Sequence, residues 1–182
     1  VATDISMCSN ALILLGEEPI QSLDDDAAAA NLYASTYDHV LGFHPWSFSL
    51  KSQELSKNAS SDIEGWTYSY NLPSDMIRLW QTEPNNNYTI IGNSLYSNES
   101  KIVATYIRRP PESDLPAYFV KMMEYKLASD FAISVTEDDN KNQLYERKYL
   151  NALSMCLAAD SQSRPQVQIQ HKPFSNHHYE SR

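Results

Sequence analysis

The stretch VLGFHPWSFSLKSQEL, residues 40–55, changes period at its centre. Before it, apolar residues recur at helical spacing. Pro45 lacks a backbone donor and pushes His44 out of the helical region, so the helix has to end there. Beyond Pro45, Trp46, Phe48 and Leu50 alternate with Ser47, Ser49 and Lys51, which is the period of a strand. The stretch predicts a sharp exit from helix to sheet, with Trp46 plugging the seam.

Toward the N-terminus, residues 4–15 read as a helix capped by Thr3 and ended by Gly16, with Ile5, Cys8, Leu12 and Leu15 on its apolar face. Pro19 reinforces the break. A second helix opens on Asp24-Asp25-Asp26, whose charges suit the positive end of a helix dipole. It carries the stripe Ala29, Leu32, Tyr33, Thr36, Tyr37, Val40. Toward the C-terminus, Trp66, Tyr68, Tyr70 and Leu72 alternate with polar residues, and further strands are expected near 76–82, 88–91, 95–97 and 102–108. Gly92-Asn93-Ser94 reads as a tight hairpin turn and 83–87 as a looser polar loop. Connections this short require an antiparallel sheet, and one Greek-key or sandwich-like unit is expected.

Helix returns after Pro110-Pro111. Phe119, Met123, Leu127, Phe131 and Val135 lie four apart, and Met122 and Ala128 widen the stripe. Glu137-Asp138-Asp139 closes that helix and opens a last one. It runs about 25 residues, roughly 38 Å at 1.5 Å per residue, with Tyr145, Tyr149, Ala152, Leu153 and Cys156 on its face. Pro165 stops it. The expected fold class is α+β: an antiparallel bundle of about four helices (1–45 plus 110–164), an inserted small antiparallel β domain (46–109) and an extended C-terminal arm (165–182).

Composition narrows the function. With a formal charge of -9, the chain is unsuited to neutralising phosphates, so sequence-specific DNA binding is disfavoured, while an acidic wall past which DNA slides fits. Cys8 and Cys156 read as small buried apolar residues of a reducing compartment. The start lacks a charged segment followed by an apolar one, and there is no 18-residue apolar run, so synthesis in a cytoplasm and no membrane partner are expected. The sequons at Asn58, Asn87 and Asn98 are then polar loop residues.

Each chemical motif has a plainer reading beside it. Asp24–Asp26 and Glu137–Asp139 lack the spacing of a calcium loop and read as helix-terminal charges. Glu17-Glu18 would need a second carboxylate across a sugar to act in glycoside hydrolysis; adjacent residues at a helix exit read as solvated surface. His44 reads as a junction histidine bonded to nearby backbone. His171, His177 and His178 lack cysteine or carboxylate support for a metal. Trp66, Tyr68 and Tyr70 read as sheet core or interface ahead of a base-stacking platform. Arg108-Arg109 is left between a clamp on a neighbour's carboxylates and a solvated pair. No catalytic, cofactor-binding or metal-binding residue is assigned.

Val167 and Ile169 alternate with Gln166, Gln168 and Gln170, a strand pattern with no sheet of its own nearby. Two readings stand: this segment adds to a partner's sheet or lies along a partner subunit with Phe174 as an anchor, or the terminus is disordered.

Several of these landmarks, in order, resemble the tail tubular protein A family, the head-to-tail adaptors of short-tailed bacteriophages (podoviruses). They are Ala11-Leu12-Ile13-Leu14-Leu15-Gly16, then Ile20-Gln21-Ser22-Leu23 and the run Asp24–Asp26, then Pro45-Trp46-Ser47-Phe48. In the middle, Tyr70, Leu72, Pro73, Asp75 and Arg78 are similar to the family's Tyr-x-Leu-Pro-x-Asp-(apolar)-x-Arg segment. The stretches IVATYIRRP and KLASDFAISVTEDD, and Arg182 at the end, complete a likeness covering nearly the whole chain. Ser49 departs from it, standing where Ala is common.

The resemblance implies a virion protein made in a bacterial cytoplasm, with no enzymatic activity. Its partners would be copies of itself in a dodecameric ring, the portal above, a tail nozzle of the tail tubular protein B type below, and tail fibres. Genome DNA would pass through the centre without sequence-specific binding. Under this resemblance Val167, Ile169 and Phe174 are expected to dock on the portal. Tyr37, Tyr145 and Tyr149 are expected to pack within the bundle or between subunits, and Trp46 to mark the domain junction. A virion-associated glycan or peptidoglycan hydrolase, and a soluble interaction domain, are the alternatives.

Overall fold

A computed structural model of the chain describes residues 2–25, 27–58, 61–85 and 87–163. Its elements are α1 (Asp4–Leu15), α2 (Ala27–Phe43), β1 (Leu50–Glu54), β2 (Ser56–Lys57), β3 (Tyr68–Asn71), β4 (Met76–Glu83), β5 (Tyr88–Ile91), β6 (Ser94–Ser97), β7 (Val103–Arg108), α3 (Ala117–Thr136) and α4 (Asp139–Gln162). These described residues thus form four helices and two small antiparallel sheets. The expected arm at 165–182 lies outside the described residues.

Local chemistry places the helix ends. Thr3 accepts from the Ser6 amide while the Ser6 hydroxyl accepts from the Thr3 amide, a reciprocal cap on α1. Gly16 ends that helix at φ +87°, a conformation a side chain would strain. The Asp138 carboxylate accepts from the amides of Asn140 and Lys141 and so caps α4. α3 lies at the centre of the helices, buried along Phe119, Met123, Leu127 and Phe131, with α1, α2 and α4 packed around it.

The three-stranded sheet has the order β1-β7-β4 and the four-stranded sheet the order β2-β3-β6-β5. Strand β7 uses its period of two to serve both cores. Ala104 and Tyr106 join Leu55, Tyr70, Leu95 and Ile102 between the sheets, while Ile107 joins the helical core with Leu50 and Ile77 against it. The result is three layers, helices on the smaller sheet and the smaller sheet on the larger. Gly42 of α2 approaches β4 closely enough that a Cβ there would sit 3.5 Å from Ile77 Cγ2.

Two strand expectations are corrected. Residues 46–49 form a turn, not a strand: the Ser49 and Leu50 amides both donate to the Trp46 carbonyl. Trp46 and Phe48 still face the helices because the turn carries both toward Phe119, which meets the Trp46 ring edge-on at 5.1 Å and the Phe48 ring at 4.9 Å. The same turn buries Ser49, which alternation had put outside. Trp66 is half-buried ahead of the strand that begins at Tyr68. The Gly92-Asn93 turn closes as expected on the Ile91–Ser94 pair, with Gly92 at φ +59°.

Trp46 is fully buried and its indole N–H donates to the Val40 carbonyl at 3.1 Å. Trp46→Ala is expected to destabilise the chain by about 3–5 kcal/mol, measured by urea unfolding. A loss below about 1 kcal/mol would show that the seam does not depend on this ring.

Candidate functional site

The junction between helices and sheet is held by a carboxylate from far along the chain. Asp160, near the end of α4, is fully buried. Its Oδ1 accepts from the Ser47 amide at 2.8 Å and from the Ser47 hydroxyl at 2.6 Å. The His44 Nε2 lies 3.4 Å from its Oδ2. A buried charge is tolerable only when paired or hydrogen-bonded, and these donors meet that need. Neither Ser47 nor Asp160 stood out in the sequence. His44 did, and it partners this carboxylate as well as contacting the Trp46 ring edge at 4.9 Å.

Serine, histidine and aspartate here share a site without forming a nucleophilic relay. Such a relay sets the imidazole between hydroxyl and carboxylate. In this junction the carboxylate stands in the middle and Ser47 donates straight to it. The arrangement fixes a turn; it does not strip a proton from the serine.

Tyr37, Tyr145 and Tyr149 are all buried within the chain. Tyr37 donates to the Pro110 carbonyl at 3.0 Å and stacks on Tyr33 with ring centroids 5.7 Å apart. The Tyr145 hydroxyl donates to the Leu14 carbonyl, and Lys141 Nζ donates to the Leu15 carbonyl at 2.8 Å, so α4 supplies donors to the end of α1. The Tyr149 ring lies under Lys126. Lys126 pairs with Asp130 at 2.9 Å and Glu146 at 3.3 Å, and Asp130 accepts from Thr36, which links α2, α3 and α4. Burial alone would lower the Lys126 pKa, but its bond to Asp130 and the charges of Asp130 and Glu146 raise it overall.

Arg109 is engaged inside the chain. Its guanidinium sits 4.8 Å from the Tyr37 ring centroid, 3.5 Å from Asp38 and 3.9 Å from Glu112, which also accepts from the Tyr33 hydroxyl at 3.1 Å. Asp75 from the middle motif accepts from Tyr106 at 2.9 Å and Lys51 at 3.0 Å. Desolvation would raise its pKa, yet those two donors hold the carboxyl below the usual carboxylate range. Cys8 and Cys156 are buried thiols outside any disulfide; burial pushes the Cys156 thiol up to about 11.

An open cleft of about 500 Å³ separates the N-terminal parts of α1 and α3. Glu124, a single carboxylate among its described lining residues, is buried and accepts from Asn10 Nδ2 at 2.6 Å and Lys121 Nζ at 2.7 Å. Glycoside hydrolysis needs two carboxylates facing a shared space. Glu17 and Glu18 sit exposed past Gly16. Among the described residues no group of three or more His, Cys, Asp or Glu side chains is arranged to hold a metal ion, and no helix is long and apolar enough to cross a membrane. Val167, Ile169, Phe174 and the histidines 171, 177 and 178 lie outside the described residues.

Large apolar side chains remain on the surface of both helices and sheets. Leu144, Leu150 and Met155 project from α4, Ile133 from α3 and Ile13 from α1. Trp80 projects from β4, and Tyr88, Ile90 and Ile91 from β5. Comparison with protein-family models and with curated proteins finds no match to this chain.

Asp160→Ala leaves the Ser47 donors without their acceptor and is expected to cost about 1–3 kcal/mol by urea unfolding. Asp160→Asn, which keeps an acceptor oxygen, should lose less; equal losses would mean that the charge rather than the Ser47 bonds holds the turn. A second expectation concerns alkali. Burial, then the Glu112 charge, raises the phenol pKa values of Tyr33 and Tyr37 well above their ordinary value. Unfolded phenols ionise near about 10, so the folded chain binds more protons above that pH. Stability from these tyrosines is therefore intact below about pH 10 and declines as pH rises further. Tyr33→Phe should flatten the decline, read as unfolding midpoint against pH.

Proposed function

We propose that this chain is a structural virion subunit, the head-to-tail adaptor of a short-tailed bacteriophage. Copies of it form a ring, a dodecamer on this reading, that joins the portal to a tail nozzle and lets DNA pass through the centre. Residues 1–45 and 110–164 act as a helical unit, 46–109 as an inserted sheet unit and 165–182 as an arm. The subunit works through the contacts it makes and breaks no bonds.

The observation that carries this reading is the ordered set of motifs, several of whose residues have a definite structural duty in the fold. Gly16 ends α1 in the left-handed conformation. Pro45 and Trp46 begin the turn into the sheets, and Asp75 ties β7 to Lys51. Matching residues would carry the same architecture in a family whose role is assembly. The outward-facing Leu144, Leu150 and Met155, with Met155 at 74% exposure, supply apolar area of the sort that neighbouring subunits cover. The negative charge suits a wall that DNA must pass without sticking.

Negative-stain imaging of the purified protein mixed with portal rings of its own phage tests the proposal. Rings of this chain capping the portal are expected. Leu150→Asp combined with Met155→Asp should reduce capped particles while leaving the unfolding midpoint unchanged, since both side chains are exposed. Portal particles that stay bare in the presence of folded wild-type protein would overturn the adaptor role.

A further inference from the structure

Among the four sheet edges of the described residues, three are guarded against pairing with another chain. β1 carries Lys51 and Glu54. β2 has two residues, one of them Lys57. β4 carries Arg78 and Glu83, and its register is broken between Met76 and Arg78 and again between Leu79 and Gln81. Charges, brevity and bulges are the usual means of keeping an edge from recruiting a strand.

The fourth edge has none of these. β5, Tyr88-Thr89-Ile90-Ile91, is uncharged, lacks proline and pairs with β6 in unbroken register. It ends the four-stranded sheet, and no described strand lies beyond it. Tyr88 pairs with Ser97 and Ile90 with the fully buried Leu95, so Tyr88 and Ile90 lie on the face that covers the sheet core. They nonetheless remain 39% and 41% exposed, because the opposing sheet is one strand narrower.

We propose that residues 166–170 of a second copy of this chain pair with the β5 edge and extend the four-stranded sheet. The segment Gln166-Val167-Gln168-Ile169-Gln170 is one residue longer than that edge, alternates with the same period and is likewise uncharged. Val167 and Ile169 on one side would continue the apolar face of Tyr88 and Ile90, leaving the glutamines on the other. Residues 164–182 hold three basic residues and one acidic, in a chain whose net charge is -9, so the residues flanking the donor segment are drawn to the acidic body of a second copy. Donor segment and acceptor edge are different patches of one chain. On the ring reading the exchange runs head-to-tail, the type of contact that closes into rings. The inference rests on the ring reading above, supplies its lateral joint, and moves Val167 and Ile169 from the portal to the neighbouring subunit.

The test uses two full-length variants, Thr89→Cys and Gln168→Cys, mixed at the highest soluble concentration and oxidised. A disulfide-linked band of two chains is expected in the mixture and in neither variant alone. Adding Val167→Pro and Ile169→Pro to the Gln168→Cys chain removes ladder donors from the segment and should weaken the band by at least about tenfold. Ser154→Cys, exposed on α4, replaces Thr89→Cys as a control and should give no band. Absence of the two-chain band, or a band that survives the prolines, overturns the proposal. So does a single-chain disulfide in the Thr89→Cys, Gln168→Cys double variant without a band in the mixture. Rings on the portal without cross-linking sink the strand exchange alone; cross-linking without rings sinks the adaptor reading and leaves the exchange standing.

Discussion

The fold depends on one buried carboxylate. Asp160 enters the junction near the end of α4 and binds the turn that follows Pro45. Without that acceptor, the half-buried Ser47 amide would lose its partner beside the fully buried Trp46. With it, the last helix is tied to the exit of the second, and β1 starts in register with β7 through the Leu50–Ile107 pair. That pair belongs to the helical core as well as to the sheet. One polar contact thereby ties the last helix to the turn that leads into the strands two apolar cores share.

What the sequence made legible were the elements whose causes are local. A helix end is written in the few residues that cap it, as with Thr3 and Ser6 or Gly16. The β5–β6 hairpin is written in Gly92-Asn93 and the alternation beside it. The turn at 46–49 was not readable in the same way, because its cause sits 113 residues later. Alternation tells which side chains share a face, and Trp46 and Phe48 do share one; it does not tell whether extended backbone or a turn brings them there. The division into two sheets was hidden for a related reason. Tyr70 and Leu95 show inward faces in the sequence, but nothing local states that their sheet stacks on β7 and not beside it.

The polar ties between helices were harder still to read. No sequence motif marks Glu124, yet Asn10 and Lys121 hold it in a nearly closed position. Lys126, Asp130 and Glu146 likewise resemble solvated charges until Thr36 and Ser129 join them. Such groups depend on which helices meet, and periodicity reports only that each helix has an inside. The tyrosines fall between the two cases: Tyr37, Tyr145 and Tyr149 announce burial by their spacing, while their acceptors, the carbonyls of Pro110 and Leu14 for the first two, come from other elements.

This distribution of polar ties bears on assembly. Charged groups that might have faced a neighbour, such as Arg109 and Lys126, are already committed inside the chain. The described surface also exposes large apolar side chains, with Met155 and Leu150 on the helical side and Ile90 and Ile91 on the sheet side. Contacts made from such groups gain from area removed from water, at roughly 25 cal/mol per Å², and need little directional matching. They become specific only where a backbone edge adds its own ladder of hydrogen bonds, because a one-residue slip there turns every side chain to the opposite face. A subunit that joins others through both kinds of contact separates the two tasks, with helical apolar area for adhesion and a sheet edge for register.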